Sequence, residues 1–368
     1  KPSGVWIMAY TDIDDPSAFF QTTLYTGNGT AIGSGGNAIT NGGNSDLQPD
    51  LVWIKNRVDT DSHSITDSVR GVTKYVLPDS TSVADTDANG LAVFGSNGFT
   101  VGSNNTFNGN THAFVSWNWK AGTSFTNDAS GTSIGNTDST GSFNNTAGFS
   151  IVSYNGVGSS LDIEIKHGLN TVPAVIITKN LDDANHWAVF HHKNTSAPET
   201  DFLKLSNDTA TTDDGDIWND VAPTNAIFTA GDHSSSNRAG NAFVAYCFSE
   251  KQGYSKFGSY TGNNLANGPF IATGFQPAWV MVKKYTGSNH WIIWDNKRSS
   301  INGANIINKK LYANLTHAEN GADDVSFLSN GFKLHTNTGD WNEAESYVYL
   351  AFAEHPFVTS TGIPATAR

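Results

Sequence analysis

Three stretches of this chain carry the same motifs in the same order, and a repeat of that kind restricts the fold to a set of similar units that pack on one another. A Tyr-x-Gly turn opens each stretch: Tyr25-Thr26-Gly27, Tyr154-Asn155-Gly156 and Tyr260-Thr261-Gly262. A proline-led run follows, Pro49 to Lys55, Pro173 to Lys179 and Pro277 to Lys283, with five residues between proline and lysine in every copy. A histidine stands seven or eight positions beyond that lysine, as His63, His186 and His290, the last two within Asn-His-Trp. An aromatic run then closes each copy, Phe114 to Trp119, Phe243 to Phe248 and Tyr347 to Phe352. From opening tyrosine to last aromatic the copies span 94, 94 and 92 positions, so one unit size holds through all three.

The unit is too rich in turn formers for long helices. The chain has 36 glycines, only 15% charged residues and long tracts of Asn, Ser and Thr, which supply left-handed backbone angles and local side-chain hydrogen bonds. Asn97-Gly98 and Asn330-Gly331 each precede a β-forming run, a hairpin signal. The runs Val175-Ile176-Ile177 and Val280-Met281-Val282 are continuous rather than alternating, as expected of strands buried on both faces or central in a sheet. The reading is therefore all-β: three tandem antiparallel β-sandwich modules of about 95 residues in a pseudo-threefold internal repeat. Module one is placed at 8–120 with the N-terminal segment, a Ser/Thr/Asn/Gly-rich linker at 121–146, module two at 147–252, module three at 253–358 and a C-terminal tail at 359–368.

Charge and cysteine content narrow the partners. With 21 Lys and Arg against 34 Asp and Glu the net charge is −13, and no basic cluster exceeds two residues, which argues against binding a phosphate backbone. Cys247 is the single cysteine, which excludes an intrachain disulfide and any multi-cysteine metal site. No apolar run approaches the roughly 18 residues of a membrane-spanning helix, so no membrane insertion is expected. The first residues lack the layout of a secretory signal, and synthesis without a signal peptide is expected.

Motifs of catalysis are scarce: the chain has no Gly-x-Ser-x-Gly elbow, no His-Glu-x-x-His helix and no phosphate loop, and the expectation is a non-enzymatic protein. Asp85, Asp87 and Asn89, ahead of Gly90, have the spacing of the first half of a calcium loop, but Ser96 stands where the closing carboxylate is needed. An Asx-rich turn is the alternative to a Ca2+ ligand set, and no cofactor is assigned. His191 and His192 adjoin His186, yet neighbours on a strand point to opposite faces, which favours structural imidazoles over a metal site. The best ligand candidates are Asn185, His186 and Trp187 in the second unit and Asn289, His290, Trp291, Trp294 and Asp295 in the third. Tryptophan beside short polar side chains is the combination that stacks on a pyranose and takes its hydroxyls, and also the combination that packs a core.

Met8-Ala9-Tyr10-Thr11-Asp12-Ile13-Asp14-Asp15-Pro16, the Leu-Tyr-Thr-Gly-Asn-Gly at 24–29 and Asn44-Ser45-Asp46-Leu47-Gln48-Pro49-Asp50 resemble the openings of uncharacterised, tail-fibre-like virion proteins of marine bacteriophages. Tyr254 to Asn263, Phe327 to Leu334 and the tail from His355 to Arg368 resemble their ends. The resemblance runs from Met8 to Arg368 and leaves Lys1 to Ile7 as a cloning scar, an upstream start or a processed segment. It implies a structural protein on the exterior of a virion, most simply a tail fibre or tail-associated adhesin that meets a glycan or protein of the host surface. A capsid decoration protein is the alternative and a polysaccharide depolymerase the second alternative. The partners implied are other virion proteins and a host surface molecule; the resemblance implies a homotrimer of three chains around an axis, and a compact pseudo-trimer formed by the three modules of one chain is the alternative.

Overall fold

Each proline-led run becomes a central strand because its residues are apolar on both faces. The structure, a computed structural model, describes residues 9–158, 162–299, 305–321 and 324–365, so the expectations for Lys1 to Ile7 and for the last three residues of the tail lie outside the described residues. The fold is all-β, built from antiparallel sheets with a few single helical turns.

Three large sheets share one strand order: an opening strand, the closing strand, the proline-led lysine strand and a return strand. In the first sheet these are Phe20–Thr26, Ala113–Trp119, Leu51–Asn56 and Ser64–Asp67. In the second they are Phe149–Asn155, Ala242–Phe248, Val175–Asn180 and Ala188–His191, extended by Asp201–Lys204 and Thr212–Asp213. In the third they are Ser255–Thr261, Ser346–Pro356, Phe275–Lys284 and Ile292–Asp295, followed by Lys310–Tyr312. Register agrees between the sheets: Trp117, Tyr246 and Leu350 of the closing strands face Trp53, Ile177 and Met281 of the lysine strands.

Every lysine strand splits its side chains between two cores. Leu51, Trp53, Val175, Ile177, Trp279 and Met281 enter one central cluster fed by all three sheets, together with Phe20, Phe248 and Phe352. The alternate residues Val52 and Ile54, Ile176, and Val280 and Val282 face three separate peripheral cores. Each peripheral core is covered by a smaller sheet, such as Asn37–Thr40 with Gly98–Val101 and Leu91–Gly95 over the first. Burial on both faces is the reason these runs read as continuous rather than alternating. The middle is filled: Trp119 meets Trp279 and Phe352 edge to face and those two lie tilted to each other, with ring centres 5.6–5.9 Å apart. The gap left among them is about 20 Å³, room for roughly one water and lined by apolar side chains.

The 121–146 tract, expected to be a linker, is instead part of the second sheet. Thr123–Asn127 and Ser139–Asn144 form a hairpin whose second strand pairs with the opening strand Phe149–Asn155. Its few apolar residues carry the change, because Phe125 and Phe143 pack against the second peripheral core. Sparse anchors were enough where an unpaired sheet edge lay beside them.

Candidate functional site

The lysine that ends each proline-led run is the most repeated polar feature, and it is buried. Lys55, Lys179 and Lys283 have no exposed surface, and each Nζ donates to the carbonyl of the next residue at 2.7–2.8 Å. Each also donates across the loop, to Asp59 O, Asn185 O and Asn289 O. Lys179 and Lys283 take a third acceptor from a different sheet region, Thr81 O and Asp208 O. Three carbonyls match the three donors of an ammonium, while burial pulls the Lys55 and Lys179 pKa down to about 8 and that of Lys283 to about 7. The lysines are loop clamps.

The histidine recurrence does not survive in three dimensions. Ile54 pairs with Ser64, Thr178 with Ala188 and Val282 with Ile292, which makes His63, Trp187 and Trp291 the equivalent residues, with His186 and His290 one place earlier. The equivalent rings do the same work. His63 Nε2 lies 3.0 Å from Tyr312 O, Trp187 Nε1 donates to Leu77 O at 2.9 Å, and Trp291 Nε1 donates to Lys204 O at 2.9 Å. The first unit therefore reaches to the third, the second to the first and the third to the second, a head-to-tail cycle that closes on itself.

At the far end of the same return strands the cycle runs the other way. Asp67 accepts from Tyr246 Oη at 2.8 Å and from Arg70, and Asp295 accepts from Trp117 Nε1 at 3.1 Å and from Arg298 at 2.6 Å. At the same position in the second sheet, His191 Nε2 donates to Tyr349 O at 3.2 Å while its Nδ1 accepts from Lys193 N. Burial, with the neighbouring His192, holds the imidazole neutral and pushes its pKa to about 3.

The residues singled out for ligand stacking are thereby placed. Trp187 and Trp291 have no exposed surface and belong to the central cluster; Trp294 lies in the third peripheral core against Trp341, and Asp295 is buried in its ion pair. No face of these rings is open to a sugar in this structure, and of the two readings weighed it is the core that they occupy. Asn185, His186, Asn289 and His290 are half-buried around them, bonded to Ser234, Ser206, Gly339 and Asn314. Asp85, Asp87 and Asn89 spend their oxygens on the protein: Asp85 accepts from Tyr75 Oη, Asp87 from Asn89 N and Asn104 Nδ2, and Asn89 from Ile32 N. The Asp87–Asn89 bond is an Asx-turn.

Two surface features have no local signature in the sequence. Asp59, Asp61 and His112 bring oxygen and nitrogen atoms within 4.8 Å of one another, a donor set suited to a divalent cation. The Asn56 amide nitrogen already bonds Asp61 Oδ2 at 2.7 Å and lies 2.9 Å from His112 Nδ1. The second feature is a cleft of about 490 Å³ between the opening strand of the first sheet and the end of the third. Gln21 forms its wall, bonding Ser17 O, Ser45 O and Gly43 N at 2.7–2.8 Å, and the Lys297–Glu354 pair, 2.9 Å, stands opposite. The lining is polar and internally neutralised, suited to an uncharged polar partner rather than to a phosphate or a metal.

A family model described as "Domain of unknown function (DUF7483)" matches residues 15–356. No curated protein sequence and no solved structure matches the chain.

Proposed function

We propose, for a chain that belongs to the DUF7483 family, a non-enzymatic structural protein on the exterior of a bacteriophage virion, in the manner of a tail fibre or tail-associated adhesin that meets the host surface. The observation that carries the reading is the use made of the recurrent residues. Lys179 and Lys283, the ring residues after the three lysines and the Asp67 and Asp295 pairs are spent on joining three sheets into one body, while Lys55 clamps its own loop. A chain that commits its most repeated polar groups to cohesion is built to hold a shape, and contact with a partner falls to its neutral polar loops and clefts. The resemblance of both ends of the chain to tail-fibre-like virion proteins supports the setting. Among the described residues no helix is long and apolar enough to cross a membrane. A host glycan or protein is the partner proposed, alongside other virion proteins.

The test uses fluorescently labelled full-length protein, presented to marine bacteria and in parallel to purified phage heads that lack it. Saturable binding to cells and none to heads is expected. Stoichiometric binding to heads without cell binding would replace the adhesin with a capsid decoration protein, and soluble oligosaccharides released from the cells would point to a depolymerase.

A further inference from the structure

The three large sheets leave the same edge, that of the opening strand, and finish it in three different ways. Thr22, Ile151 and Phe257 are equivalent, facing Trp117, Tyr246 and Leu350 of the closing strands. Their backbone groups point away from the closing strand, because the alternate residues bond to it: in the first sheet Phe19 O accepts from Lys120 N and Gly27 N donates to His112 O, which puts Thr22 out of phase with that ladder. In the second sheet Ile151 is paired with Ser142 of the added hairpin. In the third, Phe257 N donates to Glu250 Oε1 at 3.0 Å and Phe257 O lies 2.6 Å from His192 Nε2. In the first, the opening strand is the end of its sheet, and among the described residues neither a strand nor a side chain takes the Thr22 N–H or C=O.

That edge forms one wall of the 490 Å³ cleft, which is lined by Phe20, Thr22 and Leu24 on one side and by Gly43, Lys297 and Glu354 on others. Thr22 is only 8% exposed, and its Oγ1 is buried without a hydrogen-bond partner. An open edge that is recessed rather than bulged or charged is where a strand can be added, since an unpaired row of N–H and C=O groups is a template for another chain.

We propose that the cleft is a docking site for an extended segment of another polypeptide, which adds to Phe20–Leu24 as a strand in the way that Ser139–Asn144 adds to Phe149–Asn155 within this chain. The internal example states the chemistry of the occupant. It is uncharged, made mostly of Ser, Thr, Gly and Asn, and small where it crosses the core edge: a Cβ on Gly141 would come within 2.2 Å of Ile151 O. The neutralised Lys297–Glu354 pair at the cleft wall suits such a segment. A second copy is disfavoured as the occupant, because its own opening strand lies in the same kind of recess and two recessed edges cannot meet.

The test selects a displayed library of random ten-residue peptides on the full-length protein, with Thr22→Pro as counter-target. Proline there removes an outward N–H and no ladder bond to the closing strand. Peptides are expected that bind the wild type at least tenfold better than Thr22→Pro, that lose binding when alternate backbone nitrogens are methylated, and that slow amide exchange at Thr22 and Leu24 at least tenfold. The methylated peptides keep the test independent of how well the variant folds. No enrichment, or binding indifferent to backbone methylation, overturns the proposal. So does a concentration-dependent dimer that Thr22→Pro abolishes, which assigns the edge to a second copy. Strong protection of Thr22 in the free chain that vanishes when residues 1–8 are removed overturns it as well, by assigning the edge to the chain's own N-terminal segment.

Discussion

At the scale of single residues, the surroundings of the buried histidines and lysines fix their protonation states. His191 and His167 each accept a backbone N–H at Nδ1, from Lys193 and Leu169, and point Nε2 at a carbonyl, of Tyr349 and Thr224. Burial pushes the two pKa values to about 3 and about 4, and a second proton on either ring would face an N–H. Between those values and about 6.5 the unfolded chain binds protons that the folded one refuses. Stability is therefore fully present above about pH 6.5 and falls steadily on acidification. The melting temperature is expected to drop between pH 7 and pH 4.5, and His191→Gln to make that slope shallower whatever its own melting temperature. The lysine clamps give a second prediction: Lys179→Met strands the carbonyls of Asn180, Asn185 and Thr81 and is expected to cost about 2–4 kcal/mol in denaturant unfolding.

At the scale of elements, the opening-strand edge is the variable part of a constant plan. The plan itself was legible, because the interval from proline to lysine and the aromatic closing run are local patterns that translate directly into strands. The added hairpin was not, because Thr123–Asn127 and Ser139–Asn144 are polar runs whose pairing depends on an edge that lies elsewhere in the chain. Gly141 is the residue on which that pairing turns. Gly141→Val would put side-chain atoms against Ile151 O and the Phe125 ring, and is expected to detach the hairpin. Hydrogen exchange reads it: the Ile151 amide loses protection while the Ile177 amide keeps it. Loss of protection at both would mean that the hairpin is needed for the whole sheet.

At the scale of the molecule, the central cluster makes the three sheets one folding unit. A sheet excised from the chain exposes Trp279, Met281 and Phe352, or their equivalents, on a face the other two normally cover. A single calorimetric transition is expected, in which all three sheets melt together. Cys247 reports on it: the thiol has no exposed surface and its pKa is pushed up to about 12, so a thiol reagent is expected to label it at the rate of unfolding and no faster. Labelling well before the calorimetric transition would mean that the second sheet opens independently of the other two.

The sequence by itself determined that the chain is all-β and that its proline-led runs are buried on both faces, because strand propensity, turn residues and apolar continuity are read from neighbours along the chain. The tertiary structure decided what the recurrent polar and aromatic residues are for. Asn-His-Trp carries the ingredients of a sugar site and of a core alike, and only the placement of a neighbouring sheet, which brings Leu77 O to Trp187 and Lys204 O to Trp291, separates the two. It also decided that His63 stands in for a tryptophan, since equivalence in a sheet follows the hydrogen-bond register and not the count of residues from the last shared lysine.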